Sequence, residues 1–187
     1  MIEIAIHEDG IEGIEGIEAY LAATPKQVDA ALATTCVKMA RWLTTRSVRG
    51  LAKHLMLPQK EVRRRLRTFR LTRTAGGKGV RVWYGLDPMG MVHLNARQTK
   101  QGVSAYGDRF VKSAFIANGR AGANGPTSSN KQVFIRKGKA RLPIKKVTVE
   151  LGDPAQTYIE DHLLGGSDFG TQFYKIFEHE LEWRQKR

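Results

Sequence analysis

The spacing of the apolar residues changes its period near residue 75, and this change constrains the fold more than any other feature of the chain. Before it, apolar side chains recur every three or four positions, which is typical of amphipathic helices. From residue 79 to 86 they alternate, and Val80, Val82 and Tyr84 fall on one face of a predicted strand. Helical spacing returns only near the C-terminus. Helices, then antiparallel strands, then a last helix predict an α+β fold.

A long helix is predicted to begin at Pro25. Thr24 is a favourable N-cap, and proline is well tolerated at the first helical position. The apolar pattern predicts that this helix runs over about residues 25–45, with the single cysteine, Cys36, as a small packed hydrophobe. The predicted elements before it are a strand at residues 2–6 and a helix at 11–21.

Two shorter helices are predicted next. Ser47 is a suitable N-cap for the first of them, and residues 57–59, which include a proline, end it. The next helix carries Val62, Leu66 and Phe69 at i, i+4 and i+7. That spacing places the three apolar side chains on one face, so the arginines around them cover the other faces.

The middle of the chain is predicted to form an antiparallel sheet. Its strands are predicted at residues 79–86, 91–95, 109–117, 131–138 and 142–151. Residues 118–130 are nearly all small or polar, which predicts a flexible hairpin arm or exposed loop. An amphipathic helix at 169–185 carries Phe173, Ile176, Phe177, Leu181 and Trp183 on its apolar side. A single domain is expected, with a mainly helical part at 1–73, a β core at 74–151 and a helical part at 152–187.

The net charge of +13 is distributed unevenly along the chain. Residues 1–25 contain six acidic side chains and no lysine or arginine, and residues 150–187 contain eight acidic and four basic side chains. The middle, residues 26–149, contains 27 basic and four acidic side chains. Such a body favours polyanions or the acidic surfaces of other subunits as partners. The acidic ends supply such surfaces in a head-to-tail oligomer.

The chain shows no pattern typical of an enzyme. Phosphate-binding glycine motifs are missing, and no His or Cys pair has the spacing of a metal site. The acidic residues of the basic middle are too few and too scattered for a two-carboxylate site. We therefore predict no catalytic residue, metal or cofactor. No apolar run approaches the roughly 20 residues of a membrane helix, so no membrane association is expected either.

Six arginines lie close together at Arg63, Arg64, Arg65, Arg67, Arg70 and Arg73. They follow a segment that resembles the first half of a helix-turn-helix, and the Gly-rich turn after them suits a wing. A winged-helix DNA-binding regulator over residues 47–86 is therefore one reading. Two positions disagree with that motif, because Met56 stands where the turn needs a small residue and Arg65 where the second helix needs an apolar one. Arginine alone contacts phosphates without reading bases.

A series of short blocks gives a second reading. A basic run at 63–73 is followed by VRVWYGLDP at 80–88, QGV at 101–103, SAFIA at 113–117 and VFIRKGKARLPI at 133–144. In this order the blocks resemble the phage minor tail protein Z family, the tail-completion proteins of lambda-like phages. The resemblance covers about residues 63–187, and the last block is its most specific part.

The resemblance implies a structural virion protein that forms a ring, expected to be hexameric, at the head-proximal end of a phage tail. Such a ring helps the tail join the head, with DNA passing through it, and is assembled in the host cytoplasm. Implied partners are further copies of the chain, tail terminator or tail tube proteins, head-closure or connector proteins, and passing duplex DNA. A tail-terminator or head-closure ring subunit is the remaining alternative. Besides the six arginines, the candidate nucleic-acid or subunit contacts are Arg136, Lys137, Lys139 and Arg141.

Overall fold

The computed structural model describes residues 2–7, 23–74, 77–118 and 131–186, with the backbone alone at 2–7, 73–74, 77–78 and 167. The predicted helix at 11–21 and residues 119–130 of the predicted loop lie outside the described residues. The fold is α+β, as predicted: a long N-terminal helix, several small antiparallel sheets, and a C-terminal helix that packs on the first helix. In the described ranges, no helix combines the length and the apolar character needed to cross a bilayer.

The helices, in chain order, are α1 (Pro25–His54), α2 (Gln59–Arg64), α3 (Gly152–Tyr158) and α4 (Ser167–Gln185), with a 3₁₀ turn at Met91–Leu94 and a π-helical segment at Ile159–Leu164. The strands are β1 (Ile2–His7), β2 (Leu66–Thr68), β3 (Thr72–Thr74), β4 (Gly77–Tyr84), β5 (Met89–Gly90), β6 (Arg97–Gln98), β7 (Gly102–Ala105), β8 (Arg109–Lys112), β9 (Phe115–Asn118), β10 (Lys131–Arg136), β11 (Ile144–Lys146) and β12 (Thr148–Val149).

Helix α1 begins at the predicted proline but does not end near residue 45. Its start is fixed by the Gln27 side-chain oxygen, which accepts hydrogen bonds from the Thr24 backbone nitrogen and hydroxyl, both at 2.9 Å. The predicted break with an N-cap at Ser47 is wrong. Ser47 instead donates to the carbonyl of Leu43 at 2.7 Å, and Thr44 and Thr45 donate four residues back in the same way. Hydroxyls that are satisfied inside the helix do not interrupt it.

The first sheet has β4 as its central strand. β1 pairs along one edge of β4, from Ile2 opposite Tyr84 to His7 opposite Gly79. On the other edge, β2 pairs with the end of β4 and β3 with its beginning, both antiparallel. The predicted alternation in β4 is confirmed, because Val80, Val82 and Tyr84 are buried.

The predicted arginine helix over residues 60–73 is wrong. α2 ends at Arg64, and the chain then enters β2 and β3. Thr68 lies opposite Val82 and Thr72 opposite Gly79, so three residues on one strand face two on the other, which makes a bulge. The three predicted apolar residues consequently differ in environment. Val62 is buried, Leu66 is half-buried and Phe69 is 44% exposed.

Helix α1 lies between the first sheet and α4. The main hydrophobic core consists of the side chains buried where α1 contacts the sheet and where it contacts α4. Phe173, Phe177 and Leu181 of α4 are buried, which confirms their predicted place on its apolar side, and Ile176 is half-buried. This side of α4 packs on α1. Trp183 is 47% exposed, so the prediction that it belongs to the apolar side is wrong. Where α1 meets the sheet, the Tyr84 hydroxyl lies 2.8 Å from the Ser47 hydroxyl. In this pair either hydroxyl can be the donor.

The surroundings of Tyr84 and Glu180 shift the pKa of both side chains, in opposite directions. Burial raises the pKa of Tyr84 to about 12, although the hydrogen bond with Ser47 opposes the change. Glu180 on α4 is buried and forms ion pairs with Lys38 and Arg184. Burial alone would raise the pKa of this carboxyl, but hydrogen bonds from Arg184 and Lys38 and their charges lower it below its ordinary value of 4.5.

Several predicted strands are divided by single kinks. Residues 109–117 form β8 and β9, because Ser113 between them has a positive φ of 61°. Residues 142–151 form β11 and β12, with Val147 between them. The strand predicted at 91–95 is wrong, because the chain forms a 3₁₀ turn at Met91–Leu94. β10 agrees with its predicted range.

A second, smaller core lies under the strands of the middle segment. Met91, Val103, Ala114 and Val133 are buried together, apart from the main core. β6, β7 and β8 form one three-stranded sheet above them, and β9, β10 and β11 form another. We call residues 91–149 the second lobe. It contains 12 lysines and arginines against one acidic residue, Asp108.

Candidate nucleic-acid or subunit interface

The first two arginines of the predicted cluster lie on α2 and differ in their surroundings. Arg63 is exposed and lines a shallow groove between α1 and α2, together with Arg49 and Gln59. Arg64 forms an ion pair with Glu61 one helical turn earlier, at 3.0 Å. Within the described residues, Arg63 therefore keeps its charge available for another molecule, and that of Arg64 is partly balanced.

Arg65 connects the end of α2 to the segment that follows β4. It is half-buried, and one nitrogen of its guanidinium donates to the carbonyls of Gly85 and Asp87, at 3.3 Å in the first case. In return, the Gly85 nitrogen donates to the Arg65 carbonyl at 2.8 Å. This exchange ties the end of α2 to the segment after β4. The Arg65 side chain, which is predicted to contact DNA or a neighbouring subunit, thus binds backbone carbonyls of its own chain.

Arg67 lies on the outer face of the first sheet, opposite the core. Its guanidinium carbon lies 5.9 Å from the centre of the Trp83 ring on the neighbouring strand. Beside it, Arg81 lies 5.5 Å over the ring of Phe69. We call these four residues the outer sheet face. Two arginines here sit on aromatic rings, an arrangement in which each cation is held by the ring quadrupole and still reaches solvent.

Gly85 makes the position of Trp83 possible. A Cβ atom at residue 85 would lie 2.8 Å from the far edge of the Trp83 ring, closer than real contacts allow. With glycine there, the indole lies along the strand and is half-buried.

The two remaining predicted arginines are Arg70 and Arg73, and neither belongs to the outer sheet face. Arg70 is exposed in the bulge, and Arg73 lies in β3, where the backbone alone is described.

The second predicted group lies on the second lobe. Arg136 ends β10, and its guanidinium lies 5.5 Å over the Phe115 ring. Lys137, Lys139 and Arg141 follow in the connection to β11, and all three are exposed. Arg136 lies in the β9–β10–β11 sheet, whereas Arg67 and Arg73 lie in the first sheet. The ten predicted residues are therefore distributed over several elements of the fold and do not share one surface.

Sequence reasoning missed four basic residues that belong to these surfaces. Arg49 lines the groove with Arg63, and Arg81 belongs to the outer sheet face. Lys100 and Lys112 line a concavity with Arg136. The alternation in β4 already put Arg81 on the solvent side. Nothing in the sequence indicated the other three, because their neighbours come from distant segments.

Two further observations bear on chemistry. In the ranges that the structure describes, no three His, Cys, Asp or Glu side chains gather closely enough to hold a metal ion. On α4, Glu178 and His179 are exposed, whereas Glu180 is buried. Comparisons of this chain with protein-family models, curated proteins and solved structures return no match.

Proposed function

We propose that this chain is a structural virion protein, a tail-completion subunit that forms a ring at the head-proximal end of a phage tail. The observation that carries the proposal is the ordered series of sequence blocks that resembles the minor tail protein Z family. Several of these blocks fall on strands of the fold. Residues 80–88 include the end of β4, residues 113–117 lead into β9, and residues 133–144 include most of β10.

The charge pattern supports a ring. Ring subunits need a heterologous interface, in which one surface of a copy meets a different surface of the next. An acidic N-terminal segment, an acidic C-terminal segment and a strongly basic middle provide two surfaces of opposite sign. The exposed basic residues are also suited to passing DNA, because contacts with phosphates do not depend on sequence. We expect the virion neck as the location, after assembly in the host cytoplasm.

A winged-helix regulator is the second candidate, because the order of elements favours it. α1 ends, a turn follows, and the short α2 leads into the β3–β4 hairpin. A recognition helix enters the major groove and carries several base-reading side chains. α2 has six residues, fewer than two turns, and its polar side chains besides lysine and arginine are Gln59 and Glu61. A tail-terminator or head-closure subunit would differ from the first proposal in its position, not in its ring architecture.

Electron microscopy of the purified chain and of particles lacking it would test the proposal. We expect rings, and phage particles made without the protein should have filled heads and tails that fail to join. A dimer that protects two half-sites of one operator sequence would overturn the proposal in favour of the regulator. Rings together with normal head–tail joining would point to another position in the virion.

A further inference from the structure

Three connections of the second lobe meet around a concavity. They are the turn between β6 and β7, the corner between β8 and β9, and the end of β10. Three basic side chains line it, one from each connection: Lys100, Lys112 and Arg136. All three are exposed, and within the described residues none of them forms an ion pair. We call this the basic concavity.

The frame of the concavity is built by hydrogen bonds rather than by loose loops. The Gln98 amide nitrogen donates to the carbonyls of Gly102 and Ala114, at 3.0 and 3.2 Å. The oxygen of the same amide accepts from the Ile116 nitrogen at 2.8 Å. One side chain thus joins the β6–β7 turn to the β8–β9 corner. The positions of the cations are therefore set before any ligand arrives.

Close backbone contact holds the same corner. The Ser113 nitrogen donates to the Gln101 carbonyl at 2.8 Å. A Cβ atom at Gly102 would lie 2.1 Å from the Val111 carbonyl oxygen, so residue 102 has no room for a side chain. The turn that carries Lys100 consequently lies directly against the strand that leads to Lys112.

The electrostatics of the concavity favour an anion of more than one charge. None of the residues that line it is acidic. Its positive surface continues into Lys137, Lys139 and Arg141, which follow Arg136 in the chain and are exposed. The second lobe as a whole carries 12 basic residues against Asp108. A single small anion would neutralise little of this charge, whereas a polyanion would neutralise much of it.

The lining distinguishes a nucleic acid from an acidic protein surface. Cores of protein–protein interfaces are apolar, rich in aromatic anchors and poor in lysine. Here the aromatic residue is Phe115, which is half-buried and has the Arg136 guanidinium over its ring. Polar, strongly positive surfaces are typical of contacts with phosphate backbones. Single-strand binding needs accessible rings for base stacking, so a covered Phe115 favours a duplex.

We propose that the basic concavity binds the phosphate backbone of duplex DNA without sequence preference, through Lys100, Lys112 and Arg136. This site is separate from the arginines of residues 63–73, and it does not depend on ring assembly or on a role in a phage tail. The exposed cations after Arg136 extend it along the duplex. Because the three charged side chains are lysines and an arginine, which contact phosphates without reading sequence, binding rests on release of counterions and weakens with salt.

The test compares two variants that each lose three positive charges. One changes the site itself, K100Q/K112Q/R136Q, and the control changes exposed lysines of α1 and α4, K26Q/K53Q/K175Q. Anisotropy of a labelled duplex of about 20 base pairs and arbitrary sequence is measured from about 50 to about 200 mM salt. The site variant should weaken binding at low salt by about tenfold or more. It should also lower the slope of log affinity against log salt by about two to three, since each phosphate contact contributes about 0.9.

The control variant should bind within about twofold of the natural chain. Equal losses in both variants would overturn the proposal, because binding would then follow net charge and not this site. Tighter binding of a single strand of the same length, or equal competition by polyglutamate, would overturn it as well, in favour of stacking or of an acidic protein partner. If the triple variant melts earlier than the natural chain, K100Q/K112Q keeps the Arg136–Phe115 contact and should lower the slope by about two.

Discussion

Identical side chains in this chain have different roles, and their surroundings decide which. Arg65 is directed at the carbonyls of Gly85 and Asp87, while its neighbour Arg64 pairs with Glu61 and Arg67 lies over Trp83. The sequence shows six arginines, not these partners. The partners of Arg65 and Arg67 are more than 15 positions away in the chain, and only folding brings them close. Composition predicted a basic surface correctly, whereas the role of each arginine required the structure.

Glu180 is the residue whose charge we expect to matter most for stability. Replacing it with Gln in E180Q removes the carboxylate that pairs with Lys38 and Arg184, and should lower the free energy of unfolding at pH 7 by about 2 kcal/mol. The pKa of this carboxyl is lowered on folding, so its contribution is complete above the pKa of the unfolded chain. It is lost as the pH falls through the pKa of the folded state.

Urea unfolding at pH 7 and near pH 3 measures this effect, with E178Q as the matched control. Glu178 is exposed on the same helix, so its replacement should change stability by less than about 0.5 kcal/mol. The difference between the natural chain and E180Q should shrink at the acid pH. Equal effects of E180Q and E178Q, or a difference that does not depend on pH, would contradict the expectation.

Elements with local signals were predicted from the sequence, and elements with distant partners were not. The start of α1 and the alternation of β4 depend on neighbouring residues, so their patterns are visible in the chain itself. Residues 66–74 gave a helical spacing by coincidence. They form strands because β4, several residues further on, offers them an edge to pair with. Strand formation depends on such context more than helix formation does.

The same substitution at two phenylalanines tests whether residues 66–74 are strands with an exposed Phe69. F69A should lower the free energy of unfolding by about 1 kcal/mol or less, because its ring is 44% exposed. F177A removes a ring that is fully buried between α4 and α1, and should cost about 3–5 kcal/mol. Both values come from chemical denaturation. A loss at Phe69 as large as that at Phe177 would mean that the arginine segment packs as a helix after all.

Gly50 in α1 provides a test of how that helix packs against the C-terminal segment. Alanine normally stabilises a helix interior by up to about 1 kcal/mol relative to glycine. Here a Cβ atom at residue 50 would lie 2.1 Å from the Tyr158 hydroxyl oxygen. G50A should therefore destabilise the chain, by about 1–3 kcal/mol.

A second change removes the obstacle and reverses the sign. In a Y158A background, which has its own lower stability, G50A should become stabilising by up to about 1 kcal/mol. The four proteins form a double-mutant cycle, and thermal or urea unfolding gives the coupling free energy. A cycle with no coupling would show that Tyr158 does not lie over Gly50.

Considered as a whole, the molecule separates its stability from its charge. The main core joins α1, α4 and the first sheet through buried apolar side chains and the Glu180 ion pairs. The second lobe has a core of four buried residues and carries 12 of the 31 lysines and arginines. Neither acidic segment of the sequence falls within it. This division is why substitutions of exposed cations of the lobe such as Lys100 and Lys112 are expected to change binding and assembly with little effect on folding.

Assembly should then depend on salt and on the acidic N-terminal segment. If neighbouring copies meet through surfaces of opposite charge, the oligomer measured by sedimentation velocity at about 0.1 M salt should dissociate towards monomers at about 1 M, where the screening length falls to about 3 Å. Replacing Glu8, Glu12, Glu15 and Glu18 with Gln should weaken the oligomer already at low salt, because much of the acidic charge of the N-terminal segment is lost. The control is D87N/D108N, which changes exposed acidic residues of the basic middle. An oligomer that resists both salt and the N-terminal change would instead be held by apolar contacts, for which the exposed Tyr106 and Phe110 are the first residues to replace.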